Sequence, residues 1–93
     1  MERIVKVLVP LAEGSEELEA IAIVDILRRA KAKVDLAGIG SQAILCSKGV
    51  KIKTDVSIDE ADGLEYDAIV IPGGMPGAEN IRNSDKFTKI LKT

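Results

Sequence analysis

Carboxylates are the reactive groups that this chain concentrates in one place. Glu16, Glu17 and Glu19 crowd the start of a helix-like segment that follows a short apolar run. Acidic side chains in a first turn complement the positive end of the helix dipole. Glu19 also opens a stripe at helical spacing, positions 19, 22, 23, 26, 27 and 30, which is expected to face a sheet. Two readings of Glu19 stand side by side. It is a dipole partner that reaches solvent, or it is a semi-buried acid at the C-terminal edge of the sheet. In the second case desolvation raises its pKa, so that it holds a proton and hydrogen-bonds an anion or thiolate. The acidic groups Glu16-Glu17 and Asp59-Glu60-Asp62 match no cation loop and are expected to be solvated carboxylates, with no metal site.

The second feature is Pro72-Gly73-Gly74-Met75-Pro76-Gly77. Ligands of open α/β sheets sit beyond the carboxyl ends of the strands, and glycines let main-chain amides approach an oxyanion. A turn chosen only for its dihedrals explains the same residues. No Gly-Lys-Ser/Thr follows, so this is not a P-loop, and Gly38-Ile39-Gly40 lacks the third glycine of a dinucleotide fingerprint. Cys46 is the only cysteine and histidine is absent. Without a histidine beside it, and in a strand-like stretch, Cys46 reads as a small buried or interface residue.

The elements that must position these groups follow from the apolar pattern. Ile4 to Pro10 reads as a buried parallel strand. Ser15 is a plausible N-cap for a helix running to about Lys31, whose basic end suits the negative pole. Val34 to Ile39 is a second strand, so these segments form a βαβ unit. Ala43 to Cys46 and Val50 to Lys53 flank a Gly-containing turn, and Ser57 to Gly63 forms one helical turn or a loop. Asp67 to Pro72 is the third main strand. Asn83-Ser84-Asp85 caps a final helix that is still running at Thr93. Asp25, Arg28 and Arg29 fall on a solvent or interface face.

The chain has 93 residues, enough for one small domain, with 46% apolar and 30% charged residues and a formal net charge of −2. Mixed charge without a basic cluster argues against nucleic acid as a partner. Two aromatics make no stacking platform. No stretch approaches the roughly 20 apolar residues of a membrane span, and Met1-Glu2-Arg3 opens no signal peptide. A cytoplasmic location is expected.

Three stretches together resemble the ThiJ/PfpI (DJ-1) superfamily: VLVPLAEGSEELEAIAIVDILRRA (7–30), VDLAGIGSQAILCSKGVKI (34–52) and YDAIVIPGGMPGAENI (66–81). The resemblance implies an α/β, flavodoxin-like three-layer sandwich with a mainly parallel sheet. Residues 1–93 would be the N-terminal half of one such domain. It implies a catalytic cysteine on a strand-to-helix turn, with a histidine partner, both beyond residue 93. Glu19 matches the acid that hydrogen-bonds that cysteine, and Gly74 the oxyanion amide. Glu16, Leu18, Asp25, Arg28 and Lys48 fall where dimer contacts occur, and Cys46 matches a non-catalytic position.

The implied activity is that of a cysteine-dependent hydrolase or lyase, glyoxalase- or deglycase-type or peptidase-like, acting on small carbonyl compounds. It needs no cofactor and is absent from this chain alone. The implied partners are the other half, supplied as a second or cleaved polypeptide, and a second copy of the intact protein. A redox-sensing or chaperone-like role for the same cysteine is the alternative. A flavin- or nucleotide-binding module is a third reading, disfavoured by the acidic first βα turn, which repels phosphate.

Overall fold

The computed structural model describes residues 3–91. Strand β1 (Lys6–Leu11) lies inside a parallel sheet, between β2 (Lys33–Gly38) on one side and β6 (Ala68–Ile69) on the other. The short β5 (Val56–Ser57) closes the far edge, giving the order β5-β2-β1-β6. β1 pairs with β2 over six residues, from Lys6↔Lys33 to Leu11↔Gly38. The branched apolar run of β1 is needed on both faces of the sheet. Val7, Val9 and Leu11 point to one core with Ala20, Val24, Val34 and Leu36, beneath helix α1 (Glu17–Arg29). Leu8 points to the other, with Ala37, Ile58, Ile81 and Phe87. That core lies under α2 (Ile58–Ala61), α3 (Gly77–Arg82) and α4 (Asp85–Leu91). The result is a three-layer α/β sandwich with a parallel sheet, as the resemblance implies.

β1 pairs with β6 only at Val7↔Ala68 and Leu8↔Ile69. The carbonyls of Lys6 and Leu8 face β6, accepting from Asp67 and Val70, while those of Val5 and Leu11 face β2. Pro10 shares the parity of Lys6 and Leu8, so its missing N–H falls on the β6 side. The ladder has no donor there, and the strand expected over Asp67 to Pro72 is paired only at its start. Its continuation leaves the sheet as the glycine-rich loop.

The hairpin β3 (Ala43–Leu45) with β4 (Lys51–Lys53) is antiparallel and separate from the main sheet, as the pattern around Ser47-Lys48-Gly49 suggests. Ser57 to Gly63 contains one helical turn, closed by a reciprocal capping box between Ser57 and Glu60. Ser84 caps α4 by accepting from the Phe87 amide at 3.2 Å. The expectation that α4 runs on to Thr93 lies partly outside the described residues.

Three expectations need correction. Ser15 is not the N-cap of α1. Glu16 is, its Oε1 accepting from the Leu18 amide at 2.7 Å. Ser15 is wholly buried one residue earlier, where its Oγ accepts from the Ala12 amide at 3.2 Å. The sheet-facing stripe of α1 is also shifted. Glu17, Ala20 and Val24 are buried, whereas Ile26 is 63% exposed. The helix carries apolar residues on two faces, 20-24-27 (headed by Glu17) and 18-21-22-26, and the expected stripe ran between them. Lastly, Glu17 is not solvated; only 9% of it is exposed.

Candidate functional site

The C-terminal ends of β1 and β6 bring the first βα loop against the glycine-rich loop. The Glu16 amide donates to the Gly73 carbonyl at 3.1 Å, and Asn80 Nδ2 on α3 donates to the Glu13 carbonyl at 2.8 Å. Glycine is required where the two loops touch. A Cβ on Gly74 would lie 2.8 Å from the Glu16 amide nitrogen, and Gly74 has φ +98°, a region that L side chains rarely adopt. A Cβ on Gly73 would lie 2.7 Å from Glu19 Oε1 and 3.0 Å from Oε2. The Glu19 carboxylate therefore rests against the first glycine of the loop. Sequence order separates these groups by more than 50 residues, and the fold brings them together.

Glu19 is an exposed residue of this chain. That favours the reading in which it reaches solvent over the semi-buried one. It leans on Gly73 and accepts no hydrogen bond among the described residues. The Gly74 carbonyl accepts from Ala78 at 2.8 Å, while the Gly74 amide donates to none of the described groups. An exposed acid thus lies against Gly73, next in sequence to a glycine whose main-chain N–H is not engaged by the described groups.

Glu17, two residues earlier, is turned the other way, into the hairpin. Its carboxylate accepts from Ser47 Oγ at 3.2 Å, from the Lys48 amide at 3.1 and 3.0 Å, and from the Val50 amide at 3.2 Å. Burial works against its charge. Its own amide and those of Val50 and Lys48, with the Ser47 hydroxyl, outweigh burial and hold the pKa below its ordinary 4.5. The sequence reading took this residue for a solvated carboxylate at the helix start. The available signal was its position at the head of the 17-20-24-27 stripe, where a carboxylate must find donors.

The remaining residues singled out from sequence lie around α1 and the hairpin. Leu18 is 75% exposed, and Ile21 and Ile26 share its face. Asp25 pairs with Arg29 one turn later at 3.1 Å. The Arg28 guanidinium is engaged within the chain, donating to Asp55 Oδ2 at 2.7 Å and to the Val34 carbonyl at 3.0 Å. Lys48 meets Glu17 through its main chain, and its side chain is exposed. Cys46 is buried, and burial, then the charges of Glu17 and Glu16, push its thiol pKa up. That disfavours thiolate and suits a packing role.

A depression of about 930 Å³, lined by Arg3, Lys6, Tyr66, Asp67 and Ile69 among others, lies at the N-terminal edge of the sheet. That is the opposite end from Glu19 and Gly74. No group of acidic or cysteine side chains among the described residues is arranged to hold a metal ion. No helix among them is long and apolar enough to cross a membrane.

Comparison with known proteins identifies relatives of this chain. Protein DJ-1 homolog B of Arabidopsis thaliana is 50% identical over 88 residues, covering 94% of this chain and 20% of the relative. The glutathione-independent glyoxalase DJR-1.2 of Caenorhabditis elegans is 35% identical over 81 residues, covering 87% of this chain and 43% of its own length. The structure of oxidized Toxoplasma gondii DJ-1 superposes with a TM-score of 0.91 at 49% identity, over 95% of this chain and 48% of that one. The chain thus spans half or less of the length of these relatives. The DJ-1/PfpI family profile matches residues 5–93, and the chain belongs to that family, with its flavodoxin-like α/β fold.

Proposed function

We propose that residues 1–93 are the N-terminal half of a DJ-1-like, cysteine-dependent enzyme acting on small carbonyl compounds. The activity would be of glyoxalase or deglycase type, or a peptidase-like hydrolysis. The nucleophilic cysteine and its histidine come from polypeptide outside these residues, so this chain alone is inactive. In the shared first step the thiolate adds to the carbonyl carbon, forming a C–S bond, and the carbonyl electron pair moves onto oxygen. The Gly74 amide meets that oxyanion. Glu19, protonated, hydrogen-bonds the thiolate in the resting state and hands a proton to the reacting oxygen. No cofactor enters the step.

The observation that carries this reading is the Glu19 carboxylate leaning on Gly73 at the C-terminal end of the sheet, in the loop whose next residue, Gly74, has an amide that donates to none of the described groups. The resemblance to a named glyoxalase supports the substrate class. The exposed apolar face of Leu18, Ile21 and Ile26 supports a homodimer of the intact protein through α1. Glu16, Asp25, Arg28 and Lys48 would lie around that contact, in a cytoplasmic protein.

The test is Glu19→Gln in the intact protein, read by turnover of methylglyoxal and by the pKa of the nucleophilic thiol. An amide donates more weakly than a carboxyl. The thiol pKa is expected to rise by roughly one unit, the equivalent of about 1.4 kcal/mol, with turnover reduced. Unchanged turnover together with an unchanged thiol pKa defeats the reading. The structural relative described as oxidized favours a second reading, redox sensing by the same cysteine. Sulfinic acid formation under peroxide, in a protein that turns over no carbonyl substrate, selects it.

A further inference from the structure

We infer that Glu17 is a positioning residue for Glu19, acting through the β3–β4 hairpin. This rests on the reading of Glu19 given above. A sheet-facing helical position ordinarily carries an apolar side chain, as Ala20 and Val24 do one and two turns on. A buried carboxylate there is costly unless its oxygens are met. They are met at three points, by the Ser47 hydroxyl and the main-chain amides of Lys48 and Val50. These amides belong to the turn between β3 and β4 and have no partner strand. Glu17 thereby serves in place of one.

The contact matters because of where else the hairpin is attached. The Ser47 amide donates to the Ser15 carbonyl at 2.9 Å, and the Gly14 amide to the Leu45 carbonyl at 3.0 Å. The hairpin thus grips the loop before α1 through main-chain bonds and the first turn of α1 through Glu17. On the opposite side the Glu16 amide is held by the Gly73 carbonyl. The first turn of α1 is clamped between hairpin and glycine-rich loop. Successive residues of a helix are rotated by about 100°, so Glu17 and Glu19 point about 200° apart. Holding Glu17 in the hairpin fixes the rotation of the turn that aims Glu19 at Gly73.

The experiment compares Glu17→Gln with Glu19→Gln in the intact protein, by the pKa of the nucleophilic thiol and by amide exchange at Lys48 and Val50. Gln keeps the volume of Glu17 but presents an NH2 group to donors. Faster exchange at both amides is expected, with a rise in thiol pKa in the same direction as Glu19→Gln and smaller than its roughly one unit. A purely structural role speeds exchange without moving the thiol, and that result overturns the inference while leaving the role of Glu19 intact. If neither variant moves the thiol, both ideas fall. Should Glu17→Gln not fold, Ser47→Ala removes one donor and keeps the carboxylate. A smaller shift of the same sign is expected, and none at all overturns the inference.

Discussion

Replacing Gly77 by Ala sets two physical effects of opposite sign against each other. Gly77 is the first residue of α3 and does not have a left-handed φ. By helix propensity alone, alanine there stabilises by about 1 kcal/mol. Packing predicts the reverse. The new Cβ would lie 2.7 Å from the Gly14 carbonyl carbon and closer still to the Ser15 nitrogen and Cα. These atoms are backbone, so no rotamer change relieves the clash, and α3 must draw back from the first βα loop. Overpacking of this kind costs about 1–3 kcal/mol, and rigid neighbours place it near the upper end. The expected net loss is about 1–2 kcal/mol. It is read as a lower urea midpoint of the intact protein at unchanged slope. Drawing the loops apart also removes Gly73 from Glu19, so the thiol pKa should move as in Glu19→Gln. A variant as stable as the parent, or more so, refutes the argument that close approach of the loops selects glycine at this position.

Two further outcomes follow from individual contacts. The Tyr66 hydroxyl donates to Asp35 Oδ2 at 2.8 Å. Burial first, then this bond and the nearby charge, push the phenol well above its ordinary 10. Folding therefore favours the protonated form. The stabilisation is fully present below about pH 10 and is lost as pH rises through the folded-state value. A difference titration of the parent against Tyr66→Phe should show no phenolate near pH 10 while the protein stays folded, and a midpoint at 10 contradicts the contact. Cys46, buried and with a raised pKa, should alkylate at pH 8 more slowly than free cysteine. Cys46→Ser should leave the number of fast-reacting thiols in the intact protein unchanged, and losing one would make Cys46 reactive after all.

The parts of the fold that could be read from the sequence are those carried by long, one-sided patterns. The branched run of β1, the basic end of α1 and the Gly49 turn each have a local cause that no tertiary contact overrides. β5 escaped notice because two residues carry no periodicity. α3 did so because Pro76-Gly77 reads as loop, and its N-cap makes no side-chain bond. The burial of α1 was misplaced because Leu18, Ile21 and Ile26 give it a second apolar face, so its pattern alone does not say which side meets the sheet. In the site, Glu19 and Gly74 were visible as residue types at the expected ends of their elements. The contact of Glu19 with Gly73 was not, since it depends on β6 leaving the ladder near Pro10. Glu17 stayed hidden among three similar carboxylates because its donors lie about 30 residues away, in the hairpin.

The three acidic residues at the head of α1 are alike in the sequence and unlike in what they can do. Glu16 is occupied by the Leu18 amide, which it caps. Glu17 accepts from Ser47, Lys48 and Val50, and those donors favour its ionised form, so taking up a proton would mean surrendering them. Neither is free to exchange a proton with a reacting group without loosening the structure around it. Glu19 has no such obligation among the described residues, and it is the carboxylate turned toward the glycine-rich loop. The proton-handling role proposed for Glu19 is consistent with this difference, since it is the one of the three whose carboxylate is not already engaged by the described groups. The other two are committed to the helix cap and to the hairpin.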